Sequence, residues 1–340
     1  MLRLPKLKLA TPSTLEEAVA FLREHGEQAM ILAGGTDLLP NMKHELFNPK
    51  HLLSLGAIPE LAGIRREPDG TLVIGAMTTL DLVAQDELVA SRAPALSQAV
   101  QMISGPQLRR MGTLGGNVML DTRCQWYNQT YFWREALGFC LKKDGTECHV
   151  VKGGQKCVAA ASNDSAPALM SLDARLIFVG PKGRREIPID ELWLSDGIYN
   201  KKSQNEILVE IRIPKTGAGH RGAYGKLRDR GSIDFPLFGV AVRLELAVDG
   251  ETISDAALCT VALQAKPGRL KQASNLLKGQ RLGTPEFEAA LEATALRAHK
   301  SNHPLPNIPG DSDYRHAMVP VYVKRTLRAA LAQNGPVHHI

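Results

Sequence analysis

Apolar positions along the chain change period repeatedly, and each change marks an element. Residues 7–10 read as a short strand. Leu15, Ala18, Val19 and Leu22 then recur at helical spacing behind a Ser13-Thr14-Leu15-Glu16 capping box, and Gly26 stops the helix. Residues 29–32 form a short buried strand that runs into Gly34-Gly35, with a helix starting after the glycines, and residues 51–55 form another strand. A hairpin spans 64–76 around Pro68-Asp69-Gly70. Helical patterns follow at 79–83 and 93–103, and a short helix opens at 163–168. Strands are predicted at 174–179, 184–187 and 207–213, and the cluster Pro214, Gly217 and Gly219 marks a boundary. Beyond it, strands at 237–246 and 256–262 flank an Asp249-Gly250 turn, and helices cover 285–299 and 313–333. The pattern predicts an α+β chain in three regions: 1–57, 58–215 and 216–335.

Composition changes this picture little. The 340 residues are 44% hydrophobic and 22% charged, with no apolar run near the ~20 residues of a membrane span. The start, MLRLPKLKLATPSTLEE, lacks an apolar signal core, which reads as cytoplasmic. A net charge of +6, spread along the chain, does not call for nucleic acid and suits an acidic partner or an anionic cofactor.

Two glycine motifs carry candidate chemistry. Leu32-Ala33-Gly34-Gly35-Thr36-Asp37-Leu38-Leu39 lets the backbone turn tightly and turn several amides outward, as a pyrophosphate requires; a plain strand–helix turn reads equally well. About eighty residues on, Gly112-Thr113-Leu114-Gly115-Gly116-Asn117 again offers small residues and amides. Neither a GxGxxG fingerprint nor a P-loop is present. Together the two motifs point to a large planar, phosphorylated ligand.

The third feature is the stretch 124–157, which holds four of the five cysteines: Cys124, Cys140, Cys148 and Cys157. It also holds Trp126, Tyr127, Tyr131, Phe132, Trp133 and Phe139, aromatics able to keep water from a metal centre. Four thiolates hold an iron–sulfur cluster or a zinc ion, but gaps of 15, 7 and 8 residues match neither ferredoxin runs nor a zinc ribbon. Unrelated buried thiols fit the spacing too. A reducing compartment disfavours disulfides and tilts the reading toward a metal. Lys142, Lys143, Lys152 and Lys156 give the stretch a basic rim. His149 reads as a bystander beside Cys148, and Cys259, in the apolar alternation ALCTVAL, as a core thiol.

AGGTDLL followed by TLGGN resembles the FAD-binding subunits of the molybdenum hydroxylases, over essentially the whole chain, as do Asn163-Asp164-Ser165-Ala166-Pro167, EILVEIRIP and Tyr224-Gly225-Lys226. The resemblance implies a vanillyl-alcohol-oxidase-type (PCMH) FAD-binding fold of two α/β subdomains, with a C-terminal α+β domain like that of the CO dehydrogenase flavoprotein. It assigns residues 32–39 and 113–117 to the FAD pyrophosphate and ribityl chain, Asp164 to the adenosine half, and Leu208 and Lys226 to the flavin ring. A helix cap for Asp164 and a solvated lysine for Lys226 are the plain alternatives. Most members lack a four-cysteine insert. The one here, at about 122–160, resembles that of the 4-hydroxybenzoyl-CoA reductase type, which makes the four cysteines ligands of a [4Fe-4S] cluster. The implied task is electron transfer from a ferredoxin-like donor, through cluster and FAD, to a small [2Fe-2S] subunit and a molybdopterin-binding large subunit, in a heterohexamer of two αβγ units. No catalytic acid–base pair is nominated. Two rival readings remain: an oxidative molybdenum hydroxylase subunit, and a flavin subunit with a structural zinc insert.

Overall fold

The computed structural model describes residues 2–333 and 335–338. Its first unit is a parallel sheet in the order β1-β3-β2, made of β1 (Lys8–Ala10), β2 (Ala29–Leu32) and β3 (His51–Ser54), with α1 (Leu15–His25) and α2 (Leu38–Lys43) on the connections. The cap of α1 lies one residue later than the sequence suggests. Thr14 accepts the Glu17 amide, and it is Glu17, not Glu16, whose carboxylate reaches back to the Ser13 amide and hydroxyl. Thr14 is the last extended residue, so its hydroxyl is the one that meets an orphan amide of the first turn.

The second unit is an antiparallel sheet in the order β4-β5-β8-β6-β7, from β4 (Ile64–Arg66), β5 (Leu72–Gly75), β6 (Arg175–Gly180), β7 (Gly183–Pro188) and β8 (Ile207–Ile213). Between β5 and β6 run α3 (Leu80–Gln85), α4 (Glu87–Arg92), α5 (Pro94–Gln101), α6 (Pro106–Arg109), α7 (Leu114–Val118), α8 (Tyr131–Ala136) and α9 (Ser165–Ser171). The third unit is a sheet in the order β12-β11-β10-β9-β13: β9 (His220–Leu227), β10 (Phe238–Leu246), β11 (Ile253–Val261), β12 (Gly268–Arg269) and β13 (Val337–His338). Helices α10 (Lys271–Asn275), α11 (Pro285–Ser301) and α12 (Ser312–Ala332) complete it.

Burial explains the stacking. In β8, Ile211 and Ile213 face α5 and α9, while Ile207 and Val209 face Ala18, Leu22 and Leu53 of the first unit. Phe238, Val240, Val242 and Leu244 of β10 pack with Tyr322, Val323 and Leu327 of α12, while Ala241 turns to the other face with Tyr224 and Cys259. Helices α5 and α9 are therefore held between two sheets, and all of α9 is buried. A strand covered on both faces reads as an apolar run, which is why β8 and β10 were legible in sequence. Cys259 is fully buried there, its thiol pushed up to about 12 by burial. Among the described residues, no helix is long and apolar enough to cross a membrane.

Candidate functional site

The two glycine motifs meet. A cavity of about 600 Å³ is lined by Ala33, Gly34, Gly35, Thr36, Asp37 and Leu38 on one side and by Thr113, Gly115, Gly116 and Asn117 on the other, with Leu208 of β8 also in its wall. That volume suits a cofactor-sized ligand. The loops touch backbone to backbone: a Cβ at Gly34 would lie 1.8 Å from the Met111 carbonyl oxygen, and one at Gly115 would lie 2.7 Å from Ala76. Gly35 has φ +72°, and its missing side chain leaves room for Leu32 and Leu39, which pack behind the loop and do not line the cavity. Leu114 is likewise buried in the core.

The motifs differ in chemistry. Among the described residues, the amides of Gly34, Gly35, Thr36 and Asp37 donate to no protein acceptor, so the first loop presents four consecutive free donors at the cavity. The second motif is not the open loop expected from its glycines but the one-turn helix α7. Its amides are satisfied internally: Leu114 donates to Thr78 O, Gly115 to Ala76 O, Gly116 to the Thr113 hydroxyl and Asn117 to Thr113 O. Thr113 is an N-cap, which winds the segment up, so this motif contributes close approach and, among the described residues, only the Thr113 amide without a protein acceptor. Four free amides, a cofactor-sized cavity and bare glycine backbone fit an FAD pyrophosphate.

The acid of the first loop is paired. The Asp37 carboxylate accepts from Asn41 Nδ2 (2.9 Å) and Arg123 Nη1 (3.1 Å); burial raises its pKa against the pull of Arg123. The Arg123 guanidinium also lies over the Phe235 ring at 3.8 Å, joining two walls. The segment through Ile198, Tyr199, Asn200 and Lys202 also lines the cavity. Burial brings the Lys202 ammonium down to about 8, with Glu206 opposing. Nothing in the sequence marked these residues, since a wall assembled from distant loops has no local period.

Asp164 and Lys226 do not line the cavity. Both are buried behind it, and neither plain alternative describes them, because Asp164 makes no side-chain cap and Lys226 is fully buried. Lys226 Nζ donates to Met102 O (3.0 Å), Asp234 O (3.1 Å) and Asp164 Oδ2 (3.2 Å), and Tyr224 donates to Asp164 Oδ1 (2.7 Å). Ile103, Ser104 and Phe235, next to those carbonyls, do line the cavity, so Lys226 ties two of its walls together.

All four insert cysteines are free thiols and line one small second cavity with Trp126, Tyr127, Leu141, Lys142, His149, Val150, Val158 and Ala159. Cys124, Cys140 and Cys157 are buried, and Cys148 is half-buried. Burial pushes the Cys124 thiol up to about 11 and raises Cys157 as well. Backbone amides point at sulfur: Val151 N to Cys148 Sγ (3.5 Å) and Ala159 N to Cys157 Sγ (3.4 Å). Among the described residues, no three His, Cys, Asp or Glu side chains are gathered to hold a single metal ion. One zinc ion needs all its thiolates at about 2.3 Å from one centre. A four-iron cluster takes one thiolate at each iron, and the four thiols lining this pocket are the donor set such a cluster would use.

Two expectations for the insert need correction. The aromatics do not form a closed ring: Trp126 and Tyr127 line the pocket, whereas Tyr131, Phe132 and Trp133 on the short α8 reach solvent. Lys142 does not belong to a basic rim with the exposed Lys152 and Lys156 and the half-exposed Lys143. It is 6% exposed and turned inward. His149 hydrogen-bonds the Phe139 carbonyl and packs on Trp126.

Residues 5–216 match the family "FAD binding domain in molybdopterin dehydrogenase", and residues 222–330 match the "CO dehydrogenase flavoprotein C-terminal domain". The carbon monoxide dehydrogenase medium chain of Hydrogenophaga pseudoflava is 33% identical over 97% of this chain and 98% of its own. The nicotine 6-hydroxylase medium subunit of Paenarthrobacter nicotinovorans is 29% identical over 98% and 100%. A solved carbon monoxide dehydrogenase structure from H. pseudoflava superposes with a TM-score of 0.80 at 31% identity, covering 98% of this chain and 100% of that one. The expected flavoprotein fold is therefore the observed one, and the chain belongs to the family of FAD-binding medium subunits of the molybdenum hydroxylases.

Proposed function

We propose that this subunit carries FAD and a [4Fe-4S] cluster in a molybdenum enzyme of the 4-hydroxybenzoyl-CoA reductase type, taking electrons from a ferredoxin-like donor toward a small [2Fe-2S] subunit and a molybdopterin-binding large subunit. One observation carries the reading: four free thiols line one pocket, and Lys142 of that pocket pairs at 2.7 Å with Asp121 of the flavin cavity. FAD bound in the larger cavity supplies exchange between one-electron and two-electron carriers. The chain's own residues supply the rest. The amides of Gly34 to Asp37 receive the pyrophosphate, Leu208 and Phe235 wall the ring region, and Lys226 braces that wall from behind. Cys124, Cys140, Cys148 and Cys157 would ligate the four irons, with the Val151 and Ala159 amides directed at the Cys148 and Cys157 sulfurs.

A second reading is supported by the relatives. Those compared most directly are named for carbon monoxide dehydrogenation and nicotine hydroxylation, so an oxidative enzyme passing electrons outward through the flavin also fits this fold. Iron, acid-labile sulfide, zinc and FAD content of the anaerobically purified protein separates the readings. About four irons and one FAD per chain are expected, with a reduced-cluster EPR signal lost in Cys140→Ser. FAD without that iron refutes the cluster, and zinc in its place makes the insert structural. Reductive turnover of 4-hydroxybenzoyl-CoA with a reduced ferredoxin then tests the substrate and donor.

A further inference from the structure

Two connections run between the cysteine pocket and the flavin cavity. Asp121 lines the flavin cavity, Lys142 lines the cysteine pocket, and their side chains pair at 2.7 Å. Lys142 Nζ donates further to Thr122 O (2.8 Å) and Thr122 Oγ1 (2.6 Å) and lies 4.3 Å from the Tyr127 ring centre. Tyr127, which also lines the cysteine pocket, donates to the other Asp121 oxygen at 3.0 Å. The second connection is Gly197. It accepts from the Thr122 hydroxyl, its amide donates to Cys157 O (2.8 Å), and a Cβ there would lie 2.7 Å from Cys157 Sγ, while the next residue, Ile198, lines the flavin cavity.

A lysine this deeply buried, given three oxygen acceptors and an aromatic face, is held in place. Its one formal counter-charge sits on the wall of the neighbouring cavity. We propose that the Lys142–Asp121 pair is a positioning and charge-balancing strut shared by the two redox sites, setting the reduction potentials of cluster and flavin together. This rests on the cluster reading above. With both members present the strut is neutral. Without the ammonium, the region between the sites gains one net negative charge, which disfavours the added electron; without the carboxylate it gains one net positive charge, which favours it.

The test is a potentiometric titration of the holoenzyme, following the cluster by EPR and the flavin by absorbance, in Lys142→Met, Asp121→Asn, the double variant and Lys142→Arg. Expected are a negative shift of both midpoints in Lys142→Met, a positive shift in Asp121→Asn, near-parental values in the double variant, and parental values in Lys142→Arg. Parental midpoints in both single variants overturn the strut, and so does a Lys142→Arg shift as large as that of Lys142→Met, because charge is then not the operative property. If Lys142→Met fails to fold, the sign of the Asp121→Asn shift decides. If the parent holds no iron, the cluster reading has failed, and the flavin midpoints alone decide whether the pair acts on that site.

Discussion

Gly34→Ala is the sharpest perturbation the flavin cavity offers. The new carbon would lie 1.8 Å from the Met111 carbonyl oxygen, 2.5 Å from its carbon and 2.9 Å from Gly112 Cα, all of them backbone. No rotamer change relieves such a contact. A carbon sits comfortably at about 3.5–4.0 Å from its neighbours, so the two loops must part by roughly 1.7 Å or more. That separation pulls the free amides of Gly34 to Asp37 away from α7, where the two sides must hold one ligand between them. Overpacking of this kind costs about 1–3 kcal/mol, and 1.4 kcal/mol is about tenfold in affinity. The expected result is at least a tenfold weaker FAD affinity, read by flavin fluorescence on deflavinated and reconstituted protein. Gly35→Ala is the control. Its φ of +72° costs about 1–2 kcal/mol with a side chain present, yet its Cβ meets only the flexible ends of Leu32 and Leu39 at 3.1 and 3.2 Å. It should lower thermal stability while weakening FAD binding less than Gly34→Ala. A folded Gly34→Ala protein with parental FAD affinity would show that the loops do not act as one site.

Glu206, gripped by Arg185 through two hydrogen bonds (2.6 and 2.7 Å) and by the Ser203 amide (2.8 Å), has its pKa lowered from 4.5 to about 2. A depressed carboxylate contributes stability that is present above pH 4.5 and lost as pH falls through about 2; solvent screening of this partly exposed pair holds the difference to about 1 kcal/mol. The urea stability gap between the parent and Glu206→Gln should therefore close over that window, and a gap constant with pH refutes the linkage. Lys226→Met removes the ammonium that Asp164 Oδ2 and two wall carbonyls share, and breaking such a buried set costs about 3–5 kcal/mol. A drop of several degrees in melting temperature and weaker FAD retention are expected, and an unchanged melting curve counts against the bracing role. Cys259→Ala, remote in the core, should lower stability while leaving the iron content at the parental value; lost iron would place that thiol in the metal site.

Elements with a strong internal period were legible. The expected bounds of β8 coincide with the observed ones, and α11, α12 and β10 differ only at their ends. The strand β9 was not seen, because its sequence HRGAYGKL has no alternation to read. Its lysine is buried only because three oxygens from distant segments surround it. The second glycine motif was read as an open loop because glycine disfavours helix, yet one threonine cap suffices for a single turn held between Ala76 and Thr78. For Lys142, four lysines near one another in sequence suggested a common charged face. The fold exposes two of them and turns Lys142 onto Asp121.

By itself the sequence determined what acts over a few residues. It set the periodicity of the buried strands and long helices, the glycines without which the loops cannot touch, and the supply of four thiols without disulfide partners. It also carried enough of the family's motifs to point to a flavin. Tertiary structure decided which of these meet. Four cysteines separated by unhelpful spacings share one pocket, Asp121 reaches Lys142 and Gly197 reaches Cys157, while Asp164 and Lys226 withdraw behind the cavity wall. Those meetings depend on long-range closure of the chain around buried sheets, where the low local dielectric requires each buried charge to find a partner. No local pattern encodes which partner that will be.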